Sequence, residues 1–118
     1  MSLDFFDWEV DGVTVLNLSG QITLGDGTKI LRKLIRDALA EGKKRILLNM
    51  AEVFYIDSSG LGELVSAYTA VKSSGGQLKL LNLKSRVQDV IQLTRMHMVF
   101  DIYTSEKAAL DSFGESQA

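Results

Sequence analysis

Hydrophobic and polar residues change their spacing along the first forty positions of the chain. Phe5–Val10 and Val13–Ser19 are rich in aromatic and β-branched residues, which is typical of strands. Asp11-Gly12 lies between them and favours a two-residue hairpin turn, because both central residues of that turn need positive φ. From Thr28 the apolar residues recur every three or four positions, which indicates a helix. We therefore expect an antiparallel hairpin, a loop over residues 20–27 and a first helix.

The rest of the chain alternates short apolar runs with helical patterns. The runs that we interpret as strands are Arg45–Met50, Gln77–Leu83 and Phe100–Tyr103. The first two helices should end at Gly42 and at Gly75-Gly76. The third and fourth should begin after the N-caps Ser85 and Ser105. Strands that alternate with helices need crossover connections, so neighbouring strands should be parallel. We predict an α/β fold, a single domain over residues 1–118 with a mixed, mostly parallel sheet of about five strands, an N-terminal hairpin and four helices. Residues 114–118 read as a flexible polar tail.

Composition narrows the class of protein. The chain has 118 residues, of which 46% are hydrophobic and 24% charged, with a net charge of −2 and no cysteine. A nucleic-acid-binding protein usually concentrates basic residues in one patch, and this chain does not. No apolar run approaches the roughly 18 residues that a membrane span needs. We expect a soluble cytoplasmic protein without a cofactor, a metal, direct nucleic-acid binding or membrane insertion.

One segment is not explained by packing alone, and it reads Asp57-Ser58-Ser59-Gly60-Leu61-Gly62. It lies between a strand and a helix, where α/β sheets place ligand and partner sites. Each glycine in the first helical turn costs about 1 kcal/mol relative to alanine. Close approach of another backbone or free N–H groups at the helix start would justify the glycines, and both suggest a surface used by another molecule. Asp57 or Ser59 should cap the helix.

The same segment carries a family resemblance. Residues 56–62 resemble the signature of STAS-domain anti-sigma-factor antagonists. Further matches are Gly20, Ile46-Leu47-Leu48-Asn49 and Gly75-Gly76, so the resemblance extends over essentially the whole chain. It implies the α/β fold deduced above and a protein that binds other proteins rather than an enzyme.

The resemblance also implies a switch. An antagonist of this family binds an anti-sigma factor that is also a serine kinase of the GHKL ATPase type, and phosphorylation of the first serine releases it. A phosphatase of the protein phosphatase 2C type restores binding. If the roles of the family's motif apply to this chain, Ser58 is the phosphorylation site, and Asp57 orients the loop and contacts the partner. The remaining partner-binding residues would be Ser59, Gly60, Leu61, Gly62, Gln21 and Thr23. Many members have an acidic residue where this chain has Thr23, which affects the choice of partner.

Other functions remain open at this point. A stand-alone STAS subunit of a transporter or of a larger signalling assembly would share the fold. An enzyme is disfavoured, because His97 is the single histidine and no Gly-x-Ser-x-Gly elbow is present. We expect no catalytic residue. Phe5, Phe6 and Trp8 could form an exposed patch, but packing of the first strand on a helix should cover at least half of them.

Overall fold

The computed structural model describes residues 3–115, except for the side chain of Glu115. Its strands are β1 (Leu3–Val10), β2 (Val13–Ile22), β3 (Arg45–Ile56), β4 (Gln77–Leu81) and β5 (Asp101–Tyr103). Its helices are α1 (Asp26–Ala40), α2 (Ser58–Ser73), α3 (Ser85–Leu93) and α4 (Glu106–Glu115), with a short 3-10 turn at Met96–Met98. The described residues thus contain the elements that the sequence predicts.

The five strands form one sheet in the order β1-β2-β3-β4-β5. β1 is antiparallel to β2, and the other three neighbouring pairs are parallel. The predicted α/β fold with a mixed five-stranded sheet and four helices is confirmed.

The helices cover the two sides of the sheet unequally. α1, α2 and α3 pack on one side, over a core that includes Leu16, Leu48 and Leu80 from the three central strands. Among the described helices, α4 alone packs on the other side, where Ala109 and Phe113 belong to a smaller cluster. The strand residues of that cluster are Val13, Val15, Leu47 and Leu81. Since successive strand residues face opposite sides of the sheet, the apolar runs in β3 and β4 contribute side chains to both clusters.

Positive backbone φ angles confirm the predicted turns. Asp11 and Gly12 have φ of 52° and 79°, as a type I′ hairpin turn requires. Gly42 and Gly75 follow the last turns of α1 and α2 with φ of 78° and 82°. At such a position glycine avoids the steric cost that a side chain would bring.

Two strands are longer than the sequence suggests. Gly20 pairs with Val53 and Ile22 with Ile56, so the predicted loop over residues 20–27 is wrong at both ends, where β2 continues and α1 already begins at Asp26. β3 continues past Met50 through two register irregularities against β2. These irregularities break the simple alternation of buried and exposed residues. The sequence pattern therefore does not predict the second half of β3.

The helix ends give one correction and one confirmation. Ser85 does not cap α3, because it is the first helical residue and Lys84 occupies the N-cap without a side-chain hydrogen bond. Ser105 does cap α4, since its Oγ accepts a hydrogen bond of 3.2 Å from the Ala108 N–H. α4 continues to Glu115, so the predicted polar tail loses its first two residues to the helix. Residues 116–118 lie outside the described residues.

The aromatic residues of β1 are more exposed than expected. Phe5, Phe6 and Trp8 have exposed fractions of 50%, 57% and 47%. The expectation that a helix covers at least half of them is wrong, because β1 is an edge strand and α1 leaves even Phe5 half open.

Candidate functional site

The candidate site lies at the carboxyl ends of β2 and β3. Two loops meet there, Thr23–Gly25 before α1 and Asp57 before α2. The Leu24 N–H donates a hydrogen bond of 3.1 Å to Oδ2 of Asp57. The Asp57 N–H in turn donates one of 3.4 Å to the carbonyl oxygen of Ile22. These contacts tie the two loops into one surface.

Asp57 is the N-cap of α2, which confirms one of the two residues predicted for that role. Its backbone is extended, with φ −103° and ψ −176°, and its Oδ1 accepts a hydrogen bond of 2.7 Å from the Gly60 N–H. The pKa of Asp57 is lowered, mainly by this bond, with a further contribution from the Leu24 N–H and against a partial opposing effect of burial. The side chain is therefore a carboxylate at neutral pH that holds both loops.

Gly60 owes its identity to packing inside the chain. A Cβ at this position would lie 1.8 Å from the carbonyl oxygen of Ile22 and 2.9 Å from Cγ1 of Ile56. No side chain fits there, because α2 begins against the end of β2. The suggestion that both glycines serve an external molecule is thus wrong for Gly60. Gly62 differs, since a Cβ there would meet nothing within 4 Å and the residue is exposed.

Ser58 is the first residue of α2, and it is exposed. Within residues 3–115 its hydroxyl makes no hydrogen bond, so the oxygen is available to a reagent from solution. Ser59 is half-buried beside it. The positive end of the α2 dipole favours an anion at this position.

The other predicted site residues lie around the same two loops. Gln21 is half-buried and pairs with Tyr55 in the sheet. Thr23 is also half-buried, and its carbonyl oxygen accepts a hydrogen bond of 3.1 Å from the Thr28 N–H. Leu61 packs partly against the main core. The structure therefore brings these residues to one end of the sheet, although Gly60 is buried within it.

Sequence reasoning missed three apolar residues at this end of the sheet. Leu24 is 76% exposed, Phe54 44% and Tyr55 38%. Val53 and Ile56 on either side of the two aromatic residues belong to the main core. The irregularity that sets Phe54 and Tyr55 against Gln21 therefore turns both rings away from that core. The sequence contains two signals that indicate this exposure. One is a pair of adjacent aromatic residues between two aliphatic ones, and the other is a leucine inside a polar loop.

An ion pair fixes α2 relative to α1 close to the site. Nη2 of Arg32 lies 2.8 Å from Oε1 of Glu63, and Nε makes a second, longer bond of 3.4 Å to Oε2. The hydrogen bond to Glu63 raises the pKa of Arg32, whose side chain is mostly exposed. Arg32 is more than half exposed but Glu63 is buried, so the guanidinium supplies the charged partner that a buried carboxylate needs, and the pair ties α2 to α1.

Comparison with known proteins identifies the family. The chain belongs to the STAS domain family, whose model matches residues 8–109. The anti-sigma-B factor antagonist of Bacillus subtilis is 33% identical over 87 residues, which cover 74% of this chain and 78% of the relative. A solved structure from Thermotoga maritima is 27% identical, covers 92% of this chain and 93% of its own, and has a TM-score of 0.86.

Two more distant structures share the fold. The Bacillus cell fate determinant SpoIIAA in its phosphorylated form is 22% identical, with 92% and 98% of the two chains covered and a TM-score of 0.71. A murine anion transporter of the Solute Carrier 26 family is 18% identical with a TM-score of 0.77, and the match covers 92% of this chain but 18% of the transporter. Among the described residues of the present chain, no helix is long and apolar enough to cross a bilayer.

Proposed function

We propose that the chain is an anti-sigma-factor antagonist whose binding to its partner is switched by phosphorylation of Ser58. The observation that carries the proposal is the exposed Ser58 at the start of α2, whose hydroxyl makes no hydrogen bond within residues 3–115 and which follows a carboxylate that fixes the loop. The Bacillus subtilis relative, which is named an anti-sigma-B factor antagonist, supports the choice of partner class.

The partner-binding surface consists of the exposed parts of the two loops and the first turn of α2. Ser58 and Gly62 are exposed, and Ser59 and Leu61 are half-buried beside them. The exposed Leu24 adds an apolar contact at the centre of the neighbouring loop. Gln21, Thr23 and Asp57 complete the surface, and Gly60 acts by letting the loops approach each other. Small residues around an apolar one allow a partner backbone to come close.

A phosphate on Ser58 has opposite effects on the fold and on the complex. It adds about −1.5 to −2 charges and three acceptor oxygens. The α2 dipole stabilises this charge in the free protein, typically by about 0.3–1 kcal/mol. In a closed interface the phosphate has to be desolvated beside the ionised Asp57, which adds like-charge repulsion. The modified chain stays folded and the complex dissociates.

The proposal assigns roles to three proteins. The partner is an anti-sigma factor that is also a serine kinase of the GHKL ATPase type, and a protein phosphatase 2C type enzyme removes the phosphate. The chain itself binds and has no catalytic residue, metal or cofactor of its own. It acts in the cytoplasm, without contacting nucleic acid or entering a membrane.

Mapping of the modified residue tests the proposal. The protein is incubated with its cognate kinase and ATP, and the phosphorylated peptide is identified by mass spectrometry. We expect a single phosphate on Ser58 and none on the Ser58→Ala variant. Ser85→Ala is the matched control, because Ser85 is also an exposed serine at the first position of a helix. A phosphate on Ser85, or none on a chain shown to bind the kinase, contradicts the proposal.

The alternative is a STAS subunit of a transporter or of a larger signalling assembly. Its support is the fold shared with the murine anion transporter. Affinity purification from membranes and from the soluble fraction of the native cell separates the two functions. Recovery with an integral membrane protein, and not with a soluble kinase, favours the alternative.

A further inference from the structure

The outer edge of β1 is an unused pairing surface. β1 has eight residues and lies at the end of the sheet order. On its outer side no strand of residues 3–115 pairs with it. A free edge presents backbone N–H and C=O groups that can form a ladder with an added strand. We propose that this edge binds an extended segment of another protein that alternates apolar and basic residues.

The charge of β1 selects a basic occupant. The strand carries Asp4, Asp7 and Glu9 and has no lysine, arginine or histidine. Glu9 has Lys43 nearby, with 3.5 Å between Nζ and Oε2, but within the described part of the chain Asp4 and Asp7 have no ion-pair partner. Opposite charges facing each other across two strands stabilise the pair, and like charges destabilise it.

The same charges argue against a second copy of this chain. If two β1 strands paired antiparallel, the carboxylates of one would meet carboxylates, aromatic rings or aliphatic side chains of the other, and no cation of β1, in any register. Charged residues on edge strands commonly prevent such self-association. The edge therefore offers its own copy no opposite charge, whereas a basic strand would meet carboxylates.

Exposed aromatic rings supply the apolar contacts on one side of the edge. Phe6 and Trp8 are two residues apart, so their side chains share one side of the strand, and they are 57% and 47% exposed. Their ring centroids are 5.4 Å apart in an edge-to-face arrangement of 71°. This pair is a fixed platform for an apolar side chain of the added strand.

A cleft supplies the contacts on the other side. Phe5 and α1 enclose a cavity of about 280 Å³ with apolar lining from Leu16, Ile30 and Leu34. The charged residues that also line it are Asp7, Lys33, Asp37, Glu41 and Lys43, so carboxylates outnumber lysines there. Of these, Asp7 makes no ion pair or side-chain hydrogen bond within residues 3–115. An aliphatic side chain of the occupant can enter the cleft while a neighbouring lysine reaches Asp7.

A pair of synthetic peptides tests the proposal on the full chain. One peptide has eight alternating valine and lysine residues with blocked ends, and the other replaces lysine by glutamate. Trp8 is the single tryptophan, so its fluorescence reports binding at β1 directly. We expect the basic peptide to bind about tenfold more tightly than the acidic one. The variant Asp4→Lys/Asp7→Lys changes two exposed side chains and should reverse this preference.

A second control distinguishes strand addition from simple charge attraction. A basic peptide with N-methyl groups on alternate residues keeps its charge but cannot complete the ladder, and should bind about tenfold more weakly. The parent peptide should slow hydrogen exchange of β1 amides. Ser58→Glu should leave peptide affinity unchanged, which separates this inference from the proposed switch.

Any of five results overturns the proposal, four of them in the peptide experiments. These are no response of Trp8 to either peptide at millimolar concentration, equal affinity for the two peptides, equal affinity for the methylated peptide, or loss of peptide binding in Ser58→Glu. Self-association through β1 in the absence of peptide overturns it as well, because a second copy would then be the occupant.

Discussion

Two strand-to-helix junctions of this molecule each place a serine first in the helix, but they differ in the residue before it and in how the helix is capped. β3 leads into α2 through Asp57, and β4 leads towards α3 through Lys84, with an exposed serine first in each helix. Asp57 caps α2 with a hydrogen bond of 2.7 Å and also holds the neighbouring loop. Lys84 makes no side-chain cap. The carboxylate that caps the helix and holds the neighbouring loop therefore distinguishes the surroundings of Ser58 from those of Ser85.

The two junctions also differ in charge. An anionic side chain precedes Ser58, and cationic residues flank Ser85 in the sequence Lys84-Ser85-Arg86. A phosphate on Ser58 would follow an anionic residue in the chain, and one on Ser85 would have cationic residues on both sides in the sequence. We therefore expect phosphorylation to add like-charge repulsion at the first junction and not at the second.

The largest effect that we expect is on Gly60. In Gly60→Ala the new Cβ would overlap the Ile22 carbonyl oxygen, so the end of β2 or the start of α2 must move. We expect the free energy of unfolding to fall by about 3 kcal/mol or more. Gly62→Ala is the matched control, since its Cβ meets nothing and alanine favours the helix, so it should stabilise by about 0.5–1 kcal/mol. Urea denaturation of both variants measures this, and equal stability of the two contradicts the packing described.

The next effect concerns the cap itself. Asp57→Ala removes the acceptor for the N–H groups of Gly60 and Leu24 and should destabilise the protein by about 1–2 kcal/mol. Lys84→Ala at the other junction removes no cap and should stay within about 0.5 kcal/mol. Chemical denaturation at neutral pH gives both values. Equal losses of stability in the two alanine variants would contradict the difference in capping between the two junctions.

A smaller effect should appear in the pH dependence of stability. The folded state lowers the pKa of Asp57 below its ordinary 3.8, so between the two pKa values the unfolded chain binds more protons. The contribution of this carboxylate is complete above about pH 4–5 and is lost as the pH falls through the folded pKa. The stability difference between the native protein and Asp57→Asn should therefore shrink on acidification. A difference that is constant from neutral pH to pH 3 contradicts this assignment.

The sequence predicts the regular part of the fold because each element there depends on local signals. Alternation and the Asp11-Gly12 turn define the hairpin, and the spacing of apolar residues defines α1. The cap at Asp57 could be narrowed to two residues for the same reason. These features are determined within a few residues of the chain.

The features that the sequence does not predict depend on distant segments. The second half of β3 pairs with β2 through irregular register, which no local period reveals. The reason for Gly60 lies in Ile22, which is far away in the sequence. The exposure of Trp8 depends on which strand occupies the sheet edge. The side chain of Ser85 is suited to an N-cap, but Ser85 is the first residue of α3 and Lys84 occupies the N-cap position.

The most direct test of the central claim is the affinity for the cognate anti-sigma factor with and without a phosphate on Ser58, measured by calorimetry. Placing like charges together in an interface costs several kcal/mol, so the phosphorylated protein should bind about a hundredfold more weakly or worse. Ser58→Glu should follow it in direction, and Ser85→Glu should bind as the native protein does. Equal affinity of the phosphorylated and unmodified proteins would contradict the account.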